Sequence, residues 1–402
     1  MQTKQTATTT YFEKQETTNW FLVILLWLCG VFSAIQFAKF SITYEHLLAH
    51  YASGPGAIGI ALSIVGFVGL LFGATAGVVA NRVGFKKVLI YSLFLGVILS
   101  IVQAQTPPLS ILVLSRILEG ASHLGIVVAA PTLIVMNSAK SHQAITMGLW
   151  GTFFGVGYAV AGWVGVDLIE QFGFQSLYTA HALSLFVCIA LVSLAVSGTS
   201  TDSKGFSLIK FLAQLPKDLK EIYSNPKTCF PAIIFLFHAL MFVALLTFLP
   251  RVSDEKKVTD FLMIVLPLTS MIGTLLAGFI AQYFISPKTL AKLSFLGIAL
   301  FISATHWFSE TSYILQLLCM CTLFCSGLLQ GASFALIPYM TNDESEQSNS
   351  IGAVAQLGNL GSTVGAPLIA ILFEKYTTMG LAASVVMLCI VGTWCAYLSR
   401  KY

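Results

Sequence analysis

Charge is what this sequence has least of. Only 9% of its 402 residues are Asp, Glu, Lys or Arg. Soluble domains run near a quarter charged, so a soluble fold is excluded on composition alone. The net charge of +4 is small and dispersed, and it gives no ground for a nucleic-acid partner. Catalytic signatures are missing too. There is no nucleotide-binding loop, zinc motif or nucleophile motif. The apolar spans hold no paired Asp, no His-Glu-x-x-His run and no Ser-Lys dyad, so neither an enzyme nor a cofactor is expected. Cysteine is modest at eight, within or at the ends of apolar runs. Helical spacing keeps Cys319, Cys321 and Cys325 off a common face, so no metal is expected and the cysteines read as small residues at helix contacts.

What is abundant is hydrocarbon. Hydrophobic residues make up 56% of the chain, with a mean hydropathy of +0.85. Residues 1–18 are polar and Thr/Gln-rich, a short disordered tail. The first apolar run is far longer than a signal peptide's core. Apolar spans follow at 20–44, 56–80, 86–105, 108–136, 143–167 and 175–197, then at 228–250, 260–285, 289–307, 311–340, 350–373 and 378–398. These predict an all-α membrane protein of twelve transmembrane helices. Its parts are a 1–18 tail, a 19–197 bundle of six, a 198–227 linker and a 228–402 bundle of six. The linker alternates apolar residues with lysines and reads as one or two amphipathic helices on the membrane surface, in contact with lipid.

Orientation follows from the basic residues. Of 21 Lys and Arg, about fifteen fall on the side of both termini. Arg251, Lys256, Lys257 and Lys375 lie opposite, and Lys39 and Arg116 lie within spans. Both termini are therefore expected in the cytoplasm, with the protein multi-pass in the inner membrane.

The fourth span carries Arg116, Glu119 and His123 at i, i+3 and i+7, one narrow helical face with Gly120 beside it. A charge facing lipid costs roughly 2.5–3.5 kcal/mol on insertion scales, so this face must turn toward other helices or a water-filled cavity.

The two sets of six spans are related. Gly77–Leu89, GVVANRVGFKKVL, matches Gly278–Leu290, GFIAQYFISPKTL, with Asn81 opposite Gln282. Glu119-Gly-Ala-Ser122 is echoed by Gln330-Gly-Ala-Ser333, and residues 148–172 overlay residues 352–376 without a gap. Three matches in one order make a parallel duplication, the arrangement of two-half secondary transporters, and argue against a signalling receptor.

On these motifs the sequence resembles the major facilitator superfamily from end to end. Gly77, Asn81, Arg82, Gly84, Lys86 and Lys87 follow that family's signature between its second and third helices, with Asn81 where the family has Asp. Arg116 and Gly120 match its fourth-helix pattern. The fifth span has the spaced glycines of antiporter branches, from Gly148 to Gly165, but not their Pro. The resemblance implies two pseudo-symmetric bundles, with the first, fourth, seventh and tenth helices around a central cavity.

Lys39 and Arg116 come to a similar depth, which predicts either an anionic ligand or a carboxylate held between them. Lys39 could instead snorkel to the headgroups, and Arg116 could make a packing salt bridge. Glu119, the one acidic residue well inside a span, reads as a proton carrier or as a permanent partner of Arg116. His123 extends that relay or bonds a backbone carbonyl. In the second half His238, Gln330 and Asn359 are the polar candidates for substrate contact. His181, His306 and Asp167, near helix ends, are assigned no function. The expectation is a monomeric, proton-coupled carrier of a small organic anion, such as a carboxylate metabolite or a siderophore-like chelator. The alternative is an efflux pump for drug-like or amphiphilic compounds.

Overall fold

The computed structural model describes residues 17–52, 55–196, 208–253, 255–308 and 312–399. Most of the 1–18 tail, the start of the linker and the side chain of His306 lie outside those residues. Within them the chain is helical throughout. In order come α1 (Trp20–Ile42), α2 (Tyr44–Tyr51), α3 (Pro55–Ser63), α4 (Val65–Val83), α5 (Phe85–Ala104), α6 (Leu109–Met136), α7 (Gln143–Gly151), α8 (Phe153–Phe172) and α9 (Gln175–Ala195). The linker helix is α10 (Leu208–Ser224). Then follow α11 (Pro226–Phe248), α12 (Lys256–Tyr283), α13 (Pro287–Trp307), α14 (Ser312–Met340) and α15 (Glu344–Leu398).

Among the described residues eleven helices are long and apolar enough to cross a bilayer. The last of them, α15, has 55 residues, which at 1.5 Å each is about 80 Å, far beyond a hydrocarbon core of about 30 Å. Thr377, at φ 49 and ψ −130, divides it in two, so the crossings number twelve. Two expected spans are each built from two pieces. The second is divided between α3 and α4 at Ile64, and the fifth between α7 and α8 at Thr152, whose hydroxyl bonds back to Leu149 O at 2.7 Å. The first span ends at Ile42, and the separate α2 follows it. At the end of the tail Thr18 is not loose. Its hydroxyl accepts from Ala139 N at 2.9 Å and pairs with His142 Nδ1 at 2.9 Å.

Helix starts follow the sequence. Asn19, Asn225, Ser286 and Asp343 each cap the helix that follows through a side-chain oxygen, and Pro226 and Pro287 open α11 and α13. Gly84, at φ 100, closes α4 and turns the chain into α5, a conformation a side chain would strain.

Two apolar cores form, one mainly from α1 to α9 and one mainly from α11 to α15. Outward side chains such as Phe94, Trp163, Phe186, Leu194, Ile264, Leu296 and Trp394 are exposed, as a lipid-facing surface requires. Asn19 N donates to Asn137 O at 3.1 Å, Ala144 N to Gln282 Oε1 at 3.0 Å, and Lys288 Nζ to Ser399 O at 2.8 Å. Both described ends of the chain therefore share one face with the α6–α7 and α12–α13 turns, here called the terminal face.

The halves meet toward that face along two seams. In one, α4 crosses the start of α15, where Gly77 packs on the Ser348 carbonyl. A Cβ at Gly352 would stand 2.7 Å from Gly73 O. In the other, α7 crosses α12. A Cβ at Gly278 would stand 2.6 Å from Ala144 O, and one at Gly148 would stand 2.8 Å from Gly278 Cα. Small residues at helical spacing let the backbones come this close. Under the duplication Gly77 and Ser348 correspond to Gly278 and Ala144, so the two seams are the same contact made twice.

Candidate functional site

The fourth-span face points inward, as its charges require. Arg116, Glu119 and Lys39 are all 0% exposed, in a cluster confined to the first half. Glu119 is the hub. Its Oε1 accepts from Lys39 Nζ at 2.6 Å, and its Oε2 accepts from Gln103 Nε2 at 2.8 Å and from Arg116 Nη1. Of the alternatives for the two cations, a carboxylate held between them is the arrangement in this conformation. Lys39 does not reach a headgroup.

Arg116 spends its remaining donors on backbone. Nε donates to Ala61 O at 2.8 Å, Nη1 to Gln36 O at 2.8 Å and Nη2 to Leu62 O at 3.3 Å. Ala61 and Leu62 lie in the last turn of α3, where carbonyls lack helical partners and a cation opposes the helix dipole. The guanidinium also stacks 3.9 Å from the Phe40 ring centroid. One turn on, a Cβ at Gly120 would stand 2.5 Å from Val65 O. Arg116 and Gly120 together thus hold the junction between α3 and α4.

Three members of the cluster, Ser100, Gln103 and His181, have no role assigned from the sequence. Lys39 Nζ also donates to Ser100 Oγ at 3.0 Å and stands 3.3 Å from His181 Nδ1. Ser100 Oγ is 2.9 Å from that nitrogen, while His181 Nε2 is 2.8 Å from Phe32 O. A carbonyl only accepts, so Nε2 carries the proton and Nδ1 offers its lone pair to Ser100 and Lys39. His181 is therefore a full member of the charged cluster, not an idle helix-end residue. Its signal was a titratable residue in an apolar span; Ser100 and Gln103 are polar residues of the third span. With the imidazole neutral, two cations share one carboxylate, and among the described residues the cluster is one negative charge short.

His123 is half-buried beyond Glu119. Its Nδ1 faces the Ser33 hydroxyl at 2.9 Å and Ser33 O at 3.1 Å, and its ring meets Phe37 edge-on at 4.9 Å. Phe37 in turn contacts Phe154, which contacts Tyr158. In the second half His238 Nδ1 is 3.3 Å from Ser326 Oγ, with Phe235 and Phe242 at 5.5 and 4.9 Å. Gln330 and Asn359 are not beside it but on the seams. Gln330 Nε2 donates to Gly151 O at 3.2 Å, and Asn359 packs its amide on Gly69 and Gly66.

The motif residues work at the terminal face. Asn81 Nδ2 donates to Ser345 Oγ at 2.8 Å, joining the halves, and Arg82 Nη2 donates to Asp218 Oδ2 at 2.9 Å. Lys86 Nζ donates to Ser193 O at 2.9 Å and Val196 O at 2.5 Å, capping the end of α9, while Lys87 is exposed.

The model of the Major Facilitator Superfamily matches residues 26–366. An uncharacterized transporter of Buchnera aphidicola is 25% identical over 58% of this chain and 56% of its own length. A gallate transporter of Pseudomonas putida is 27% identical over 41% of this chain and 37% of its own. The matched stretch therefore spans little more than half of the first relative and about a third of the second. In overall structure the chain is similar to the proton:xylose symporter XylE, with a TM-score of 0.73 at 12% identity, covering 95% of each chain. This chain belongs to the major facilitator superfamily, a family of transporters rather than enzymes, and has its multi-pass twelve-helix fold.

Proposed function

We propose that the transporter carries a small organic anion of the carboxylate class, coupled to protons, by rocking its two halves about a midplane site. The observation that carries this is the charge count of the buried cluster: two cations, one carboxylate, and among the described residues no other acidic residue beside them. A ligand carboxylate supplies the missing charge, with Arg116 and Lys39 as its contacts and His238, Gln330 and Asn359 as the candidate contacts of the opposite half. The gallate transporter among the relatives handles a carboxylate, which supports the class. Termini in the cytoplasm and placement in the inner membrane accord with the distribution of lysine and arginine.

Glu119 carries the coupling proton in this reading. Ligand at Arg116 and Lys39 displaces the carboxylate, which then takes up a proton, and departure of the ligand reverses the exchange. Gln103 suits both states. In the charged state its Nε2 donates to Glu119, and its Oε1 is buried with no partner among the described residues. Turning the amide over puts an acceptor against a protonated Glu119. The second reading, efflux of amphiphilic compounds, draws on the aromatic groups around His123 and His238.

Uptake into proteoliposomes separates the two. The panel is benzoate, gallate and citrate beside a lipophilic cation, each with and without a pH gradient. Carboxylate accumulation driven by the gradient and weakened in Lys39→Gln is the expected result. Transport of the lipophilic cation alone would overturn the anion reading.

A further inference from the structure

We propose that Asp218 of the linker helix is a positioning residue for the transport cycle: through Arg82 it clasps the terminal face shut. The family pattern has Asp at position 81, and here Asn81 makes only a neutral bond across the seam, to Ser345. The acid that faces the motif comes instead from α10, where Asp218 accepts from Arg82 at 2.9 Å. Helix α10 does not merely connect the halves but is seated across them. Ile222 is buried in the first half's core, with Leu219 and Tyr223 packed against it. Tyr223 donates its hydroxyl to Gln356 Oε1 at 2.6 Å, and Gln356 Nε2 donates to Leu70 O at 3.0 Å. Asn225, just past the helix, donates to Glu346 Oε1 at 3.3 Å. Arg82 and Leu70 belong to α4, and Gln356 and Glu346 to α15, so α10 bonds to both walls of one seam. The α7–α12 seam has the same glycine contacts, and among the described residues no such helix lies over it. Opening the terminal face must part α4 from α15; α10 runs through Asn225 straight into α11 of the second half, so it moves with α15 and must release the Arg82–Asp218 bond. The ion pair is partly solvated, at 39% and 17% side-chain exposure. Its removal therefore shifts the opening equilibrium by about two- to fivefold and does not abolish closure.

The test is independent of the substrate. Ser348, buried against Gly77 when the seam is closed, is replaced as Ser348→Cys in the full chain. The protein is placed in nanodiscs, which expose both faces, and labelled with an impermeant maleimide. Labelling of the native cysteines, measured without Ser348→Cys, is subtracted. Asp218→Asn is expected to raise the labelling rate two- to fivefold. Glu221→Gln, the same charge change on an exposed residue of α10, is expected to leave it unchanged. The exchange of Arg82→Asp with Asp218→Arg is expected to bring the rate back toward wild type. Wild-type labelling in Asp218→Asn would overturn the proposal. So would an equal rise in Glu221→Gln, or a rise in the exchanged pair as large as in Asp218→Asn.

Discussion

In the first half Lys39, Arg116, Glu119 and His181 meet in a buried interior. The matching stretch of the second half puts Gln330 where Glu119 stands and Gly327 where Arg116 stands. Yet at the terminal face the halves are near copies, with Gly77 on Ser348 and Gly278 on Ala144. The difference separates two jobs. On the proposed cycle both seams part and close in one rocking motion, which accounts for duplication keeping their geometry. On the proposed site charge serves one ligand at one place, and a second buried cluster would add desolvation without a second ligand.

Substitutions that remove charge sharpen this contrast most. Glu119→Leu strands two buried cations and should cost about 3–5 kcal/mol of stability. Gln330→Leu in the matching place loses neutral hydrogen bonds and should cost about 1 kcal/mol. Thermal unfolding in detergent compares the two, and equal losses would erase the asymmetry. The seams should instead respond alike. Gly77→Val and Gly278→Val each put side-chain atoms into a backbone contact, an overpacking penalty of about 1–3 kcal/mol on the closed state. Both should slow transport on the order of tenfold at normal membrane levels, and a large effect at one seam alone would break the symmetry. The histidine pair repeats the contrast at a lower cost than Glu119→Leu. His181→Phe takes an acceptor from Lys39 and Ser100 and should cost about 1–3 kcal/mol. His238→Phe, whose one described bond is 3.3 Å long, should cost less.

The twelve spans and the duplication were legible because both are written in runs of residue type. The breaks at Ile64 and Thr152 were not, since a short distortion within an apolar run leaves composition unchanged. Arg116, Glu119 and Lys39 stood out as charges in hydrocarbon. Ser100, Gln103 and His181 did not, because joining the first and last to Lys39 and Gln103 to Glu119 requires the relative depth of α1, α5, α6 and α9, which pattern within one helix does not supply. Gln330 and Asn359 were recognisable as polar residues in spans. Their place on the seams depends on which glycine of the other half lies opposite.

Coupling of Glu119 to the ligand is the central claim, and Glu119→Gln in proteoliposomes tests it most directly. Glutamine keeps an acceptor oxygen for Lys39 and stands in for the protonated acid. With a carboxylate that the uptake panel finds transported, exchange across vesicles at equal pH should persist, while accumulation driven by a pH gradient should vanish. Gradient-driven accumulation at the wild-type level would contradict the account and leave Glu119 a structural partner of Arg116 and Lys39.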